Sequence, residues 1–247
     1  MTGTRLFRVP NDEINNGRKR QYLHCAWQPG GGGDTVGLSD DQGAFQLLHF
    51  STGTSSDFYK VGYSAVPFPA SAPLRSEQQM WDDRPWSQFC FVPNDPGALI
   101  FIQWQSDTVC WSRTHTDGAR PAEVVHLGQH SQRVRTIAVD AGGQYAAAGS
   151  DDGLLSLWDM DTLSQYHKIE GAHNGATTAL CFHGKYVFSA GTDQRVKWWD
   201  VKSGELISEF VTHDSPVLDM ASTIGPMGAA GNTQCLAASL ASSTFPS

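Results

Sequence analysis

Residues 130–163 read HSQRVRTIAVDAGGQYAAAGSDDGLLSLWDMDTL, and residues 173–204 read HNGATTALCFHGKYVFSAGTDQRVKWWDVKSG. The two align: Trp158 and Trp199 lie 41 residues apart, as do Asp159 and Asp200, and His130 precedes His173 by 43. A period of this length marks a repeat architecture, in which each unit buries its faces only against its neighbours. A third copy opens at His213 with HDSPVLDMAS, 40 residues after His173. Short alternating runs, such as Val134 to Val139, Tyr145 to Ala148 and Leu154 to Trp158, are separated by Gly and Asp turns without a helical period. That pattern predicts four short antiparallel strands per unit.

Over residues 128 to 221 the chain resembles the WD-repeat family, whose unit runs from a Gly-His near its start to a Trp-Asp near its end. The resemblance implies an all-β fold: a WD-repeat β-propeller, here a partial or incomplete ring of about four to five recognisable blades. It also implies a buried hydrogen-bond chain joining the His, a Ser or Thr on the second strand, an Asp in the tight turn and the Trp. His173, Ser189, Asp193 and Trp199 fill all four slots of one copy. The other keeps His130, Asp152 and Trp158 but has Ala148 in the hydroxyl slot, which predicts a network one link short. An indole N–H, an imidazole and a carboxylate each need a partner once removed from water. A structural role is therefore expected for these side chains, ahead of acid–base work.

Outward from the two clear blades, 128–171 and 172–211, the signal decays. Residues 86–126 hold WSQFCFVPNDPGALIFIQWQSDTVCWS, a degenerate blade in which Asp107 precedes Trp111 by four residues and Ser112 stands for the terminal Asp. Residues 22–50 form another, with Trp27 on a first strand and Leu48 in the Trp slot. Between them 51–85 is an insertion rich in Ser, Pro and Gly, with no strand period of its own, either an inter-blade loop or a docking loop. Residues 212–247 hold the start of a further blade and a low-complexity tail from Ser222, in which Cys235 to Ala241 reads as a second strand. No turn Asp and no third strand with a Trp follow before Ser247. Three readings fit: a fragment of a longer ring, a small ring closed by an N-terminal strand Arg5 to Val9, or an open ring completed by a partner at an exposed strand edge.

The 247-residue chain carries a net charge of −8, yet residues 1–21 hold Arg5, Arg8, Arg18, Lys19 and Arg20 against Asp12 and Glu13 only. An acidic body argues against a broad duplex-binding surface, because phosphate contact needs clustered cations. Arg18, Lys19 and Arg20 read as a solvated loop, or alternatively as a nucleic-acid contact or import address. The five cysteines form no C-x-x-C pair, so neither a zinc site nor a disulfide framework is suggested. There is no apolar run of signal-peptide or membrane-span length and no N-x-[S/T] acceptor, which favours an intracellular setting, cytoplasmic or nuclear.

The usual catalytic constellations are missing: no G-x-x-x-x-G-K-[S/T], no G-x-S-x-G and no H-E-x-x-H. Gly30 to Gly33 lack a following Lys or helix start. The doublets Asp40–Asp41, Asp82–Asp83 and Asp151–Asp152 fit turn chemistry, since neighbouring side chains on a strand point apart. His115, His126, His167 and His183 have no ligand spacing. Neither cofactor nor metal is expected. Trp81, Trp86, Trp198, Arg133 and Arg195 are the candidate partner contacts, because exposed aromatic and Arg side chains anchor interfaces. For Trp198, packing between blades is the favoured alternative. The expected function is a non-catalytic scaffold for protein–protein interactions within a multiprotein complex. A subunit of an RNA-processing or RNA-export assembly is the alternative, and an enzyme with a site in a central channel the third reading.

Overall fold

The computed structural model describes residues 13–14, 18–19, 21–29, 34–41, 43–55, 59–60, 86–113, 123–211, 215–224 and 234–240. Among them every regular element is a β-strand. Two units emerge: residues 1–104 with 110–126, and residues 105–109 with 127–247.

In the first unit, β1 (Glu13–Ile14) pairs with β2 (Arg18–Lys19). A second sheet is built from β3 (Tyr22–Trp27), β4 (Thr35–Asp40) and β5 (Ala44–His49), all antiparallel. It continues past the expected boundary at residue 50: β6 (Thr54–Ser55) and β7 (Tyr59–Lys60) both pair with β5. Thr54–Ser55 and Tyr59–Lys60, within the expected strandless insertion, are thus part of a sheet. The missed signal is weak because strands of two residues carry no period to read. Leu48 pairs with Val36, the seat that Trp158 takes opposite Ala146 and Trp199 opposite Val187. The next sheet runs in the order β8 (Trp86–Val92), β9 (Asp95–Gln103), β10 (Thr108–Arg113), β11 (Glu123–Gln129). Its core is aromatic: Trp86 stacks on Phe101 at 4.2 Å and on Phe45 at 5.5 Å, and Phe89 meets Phe45 edge-on at 5.1 Å. Such offset and edge contacts follow from the ring quadrupole and add to the area buried.

The second unit holds two complete four-stranded antiparallel sheets, each numbered in the order its strands pair. One is β12 (Val134–Val139), β13 (Tyr145–Ser150), β14 (Leu155–Asp159) and β15 (Ser164–Ile169); the other is β16 (Thr177–His183), β17 (Tyr186–Gly191), β18 (Arg195–Asp200) and β19 (Leu206–Val211). A two-stranded sheet of β20 (Val217–Ile224) and β21 (Gln234–Leu240) follows, so regular structure runs into the start of the supposed tail. First strands lie side by side, β12 by β16 and β16 by β20. The two complete sheets repeat even their irregularities, with a bulge after Val134 and after Thr177 and another before Trp158 and before Trp199.

Successive sheets are locked by a shared core of Ala147, Leu155 and Leu157 from one and Leu180, Val187, Trp199 and Val201 from the next. Trp158 and Trp199 are 1% and 5% exposed. Removing each indole from water is worth roughly 4 kcal/mol. At the turn after β13, Gly153 holds φ at +75°, and a Cβ there would stand 2.1 Å from the His173 carbonyl oxygen. Only glycine combines that dihedral with so close an approach, which lets the Gly153 carbonyl accept the His173 N–H at 3.1 Å.

Candidate functional site

The side chains singled out by the repeat converge at one end of each complete sheet of the second unit. In the sheet β16–β19 they form a continuous chain. Trp199 Nε1–H donates to Ser189 Oγ at 2.8 Å, Ser189 Oγ lies 2.8 Å from His173 Nε2, and His173 Nδ1 lies 2.9 Å from Asp193 Oδ1. Burial holds the His173 pKa below its usual value, although the Asp193 carboxylate works the other way. The ring is therefore neutral and the directions follow: Ser189 donates to Nε2, and Nδ1–H donates to the carboxylate. Burial pushes the Asp193 carboxyl up, but hydrogen bonds from Asn174 N–H, His173 and Arg195 N–H outweigh it, leaving a lowered pKa. What joins His173 to Asp193 is a charge-assisted hydrogen bond of a neutral imidazole.

The sheet β12–β15 is wired differently. Ala148, which pairs with Ile137 as Ser189 pairs with Leu180, carries no hydroxyl. His130 Nδ1 instead lies 2.9 Å from Ser150 Oγ, whose proton goes to Asp152 Oδ1. Trp158 Nε1 donates to the Leu127 carbonyl at 3.0 Å. Gly128 makes that reach possible, since a Cβ there would meet the indole Cζ2 at 2.9 Å. His130 Nε2 is left with no partner among the described residues. Burial pushes the His130 pKa down to about 4, against the pull of the Asp152 charge. Ser150 and Leu127 escaped the sequence reading. A serine two residues ahead of the turn Asp was the signal available for the first, and a backbone carbonyl leaves none.

Of the proposed partner contacts, Trp86 is corrected by the structure. It is 1% exposed at the start of β8, between the rings of Phe45 and Phe101, and so is core rather than contact surface. Its place next to the 51–85 insertion is what made it a contact candidate. Trp198 is half-buried, stacked on Phe188 at 5.4 Å and edge-on to Tyr186 at 5.2 Å, against a cluster that includes Val217 and Met220. It packs toward the next sheet. Arg133 Nε lies 3.1 Å from Asp151 Oδ2, with Arg135 on the other oxygen of the same carboxylate. Arg195 pairs with Glu209. Both arginines remain partly exposed, so a partner would have to share them with those carboxylates. In β10, Ser112 is fully buried, whereas Trp111 is half-buried with the Arg113 guanidinium 5.8 Å from its ring centre. Arg18 and Lys19 form β2; Arg20, Trp81 and His213 lie outside the described residues.

A hollow of ≈ 450 Å³ lies beside the complete tetrad, lined by Gly171, His173, Asn174, Asp193, Arg195, Lys197 and Glu209. Its polar groups are already partnered: the Asp193 carboxylate accepts from the neutral His173 ring, and Arg195 and Lys197 pair with Glu209. Asp151 and Asp152 point to different partners, the first to Arg133 and Arg135 and the second to Ser131 and Ser150. Among the described residues no group of three or more His, Cys, Asp or Glu side chains is placed to hold a metal ion, and no helix is long and apolar enough to cross a membrane.

Residues 122–159 and 164–200 match the family model of the WD domain, G-beta repeat. Over 101 residues the chain is 30% identical to small ribosomal subunit protein RACK1z of Arabidopsis thaliana, a match covering 40% of this chain and 30% of the relative. It is 33% identical over 89 residues to F-box-like/WD repeat-containing protein TBL1X of Homo sapiens, covering 35% of this chain and 15% of the relative. A chain of the crystal structure of a mitotic checkpoint complex superposes with a TM-score of 0.61 at 14% identity, over 81% of this chain and 54% of that one. The matches thus span less than a third of each curated relative and about half of the solved chain.

Proposed function

We infer that this WD-repeat chain works as a non-catalytic scaffold, holding loops and strand edges rigid so that other proteins of a multiprotein complex can dock on them. One observation carries the reading: in the sheet β16–β19 the His and Asp side chains that could have done chemistry are consumed in the blade interior. The His173 ring donates to Asp193 and accepts from Ser189, and the Ser189 hydroxyl in turn holds Trp199. A general base needs a free lone pair within reach of a substrate proton, and the His173 ring offers none. What the network supplies is rigidity, because each buried polar group fixes the next. A preorganised surface loses less freedom on binding and so binds more tightly for the same contacts.

The likeness to a small ribosomal subunit protein and to a chain of a mitotic checkpoint complex supports an assembly role, without choosing an assembly. A soluble setting inside the cell, cytoplasmic or nuclear, suits that role. The test is co-migration: the tagged chain, expressed in cells and resolved by native size separation with mass spectrometry, should run with other proteins in stoichiometric amounts. Migration as a free chain under gentle extraction would sink the reading.

A further inference from the structure

Hydrogen-bond capacity in the hollow beside the complete tetrad is lopsided, with more donors than its acceptors can serve. Successive residues of a strand alternate between faces, so Arg195, Lys197 and Trp199 of β18 share one face. On the acceptor side, Asp193 Oδ1 takes His173 Nδ1–H and the Arg195 backbone N–H, and Oδ2 takes the Asn174 backbone N–H. The His173 ring is spent on Asp193 and Ser189. That leaves Glu209 of β19, which serves Arg195 better than Lys197. Arg195 Nη1 donates to Oε1, whereas the Lys197 ammonium stands 4.0 Å from Oε2, beyond hydrogen-bond range.

Lys197 is the informative residue. Its side chain is 14% exposed, and its ammonium lies 5.9 Å from the Trp199 ring centre. Among the described residues no acceptor engages it in a hydrogen bond. An ammonium carries three donors, and taking one out of water is costly unless they are met. Arg195 spends only one of its side-chain N–H groups on Glu209. The repeat itself does not ask for these charges. In the sheet β12–β15 Ser156 pairs with Lys168 as Lys197 pairs with Glu209, and Leu154 stands two residues past the turn Asp where Arg195 stands in the next repeat. A buried leucine and a buried hydroxyl suffice there.

We propose that the hollow is a seat for a carboxylate of a partner polypeptide, an Asp or Glu side chain or a chain end, which bridges Lys197 Nζ and the Arg195 guanidinium. Glu209 is its placeholder: 41% exposed and on the last strand of its sheet, it turns out to water when the incoming group arrives. The ≈ 450 Å³ of the hollow has room for such a side chain. With Glu209 turned out, the incoming carboxylate and Asp193 balance Arg195 and Lys197. A phosphate monoester, with a charge of about −2, overshoots that balance. Charge-assisted hydrogen bonds to a carboxylate are strong enough to fix the register of a docked segment. This deepens the scaffold reading and rests on it, naming the chemistry that one partner brings.

The probe is the capped peptide Gly-Gly-Glu-Gly-Gly, titrated into the full chain carrying isotope-labelled lysine, with the Lys197 side-chain NMR signal as readout. Loss of one signal in Lys197→Gln identifies it. A saturable shift with a dissociation constant on the order of 1 mM is expected, roughly tenfold weaker in Arg195→Gln. Glu209→Gln, which removes the chain's own competitor, should bind severalfold more tightly. An all-glycine peptide with a free carboxyl end tells a chain end from a side chain. The proposal is overturned if neither carboxylate peptide gives a saturable shift, if a Gln-centred peptide does as well, or if Glu209→Gln leaves affinity unchanged or lower. Tighter binding of a phosphoserine peptide would overturn the choice of a carboxylate. Thermal melts of the variants check that the fold is kept, and Glu209→Gln disturbs no buried group. The scaffold reading is judged by co-migration in cells, so a chain that travels in a complex but ignores these peptides fails here alone.

Discussion

The repeats around Trp158 and Trp199 share strand register, bulges and turn positions, yet their polar interiors follow different paths. In one, indole, hydroxyl, imidazole and carboxylate form a single line from Trp199 to Asp193. In the other the line is cut at Ala148 into two pieces: Trp158 to the Leu127 carbonyl, and His130 through Ser150 to Asp152. The requirement that a buried donor find an acceptor is common to both. The identity of the acceptor is not, and among the described residues His130 Nε2, in the repeat that carries Ala148, is left without a partner.

The contrast can be broken most forcefully at Ser189. Ser189→Ala strips the acceptor from Trp199 and the donor from His173 at once, and with each orphaned group costing about 2 kcal/mol the loss should be about 4 kcal/mol in chemical denaturation. A loss below about 1 kcal/mol would mean that the line carries little of the blade's stability.

Acid comes next. The folded pKa of His130 lies near 4, below the 6.5 of an unperturbed ring, so folding favours the neutral form. Its contribution is complete above pH 6.5, declines as pH falls from 6.5 toward 4, and is gone below. The amount is on the order of 3 kcal/mol, and His173, lowered in the same direction, adds to it. Asp152 and Asp193, with pKa values below the usual carboxylate range, withdraw their share only at still lower pH. Denaturation midpoints followed from pH 7.5 to 4 should fall through the histidine window first; a flat profile down to pH 4 would contradict the buried neutral rings.

Gly128→Ala should act on one repeat alone. Its Cβ would stand 2.9 Å from the Trp158 ring, so the indole must shift from the Leu127 carbonyl, at about 2 kcal/mol. Near-ultraviolet circular dichroism should show the altered Trp environment. The smallest effect sharpens the contrast instead: Ala148→Ser offers His130 Nε2 the missing hydroxyl and should stabilise by about 1 kcal/mol in a thermal melt. Destabilisation would show that the rerouted interior has closed around the methyl.

How much was legible depends on how far each feature reached along the chain. The strands of residues 134–200 were, because alternation and Gly or Asp turns repeat twice within a short stretch and each strand states its own period. Leu48 could be placed from spacing alone, since its strand keeps the common length. Trp86 could not: it stands next to the 51–85 insertion, and only the approach of β5 and β9 brings Phe45 and Phe101 onto its two faces. The strands β6 and β7 are too short to announce themselves, and exist because β5 offers them an edge.

The sequence by itself determined the repeat and the strand alternation, because these follow from local period, while the four residue types of the complete tetrad were implied by the resemblance to WD repeats. Only the tertiary structure decided which partners those groups take when one is missing. A hydrogen bond is settled by distance and direction in space, so Ser150 and a backbone carbonyl at Leu127 could stand in where the order of residues showed only an alanine.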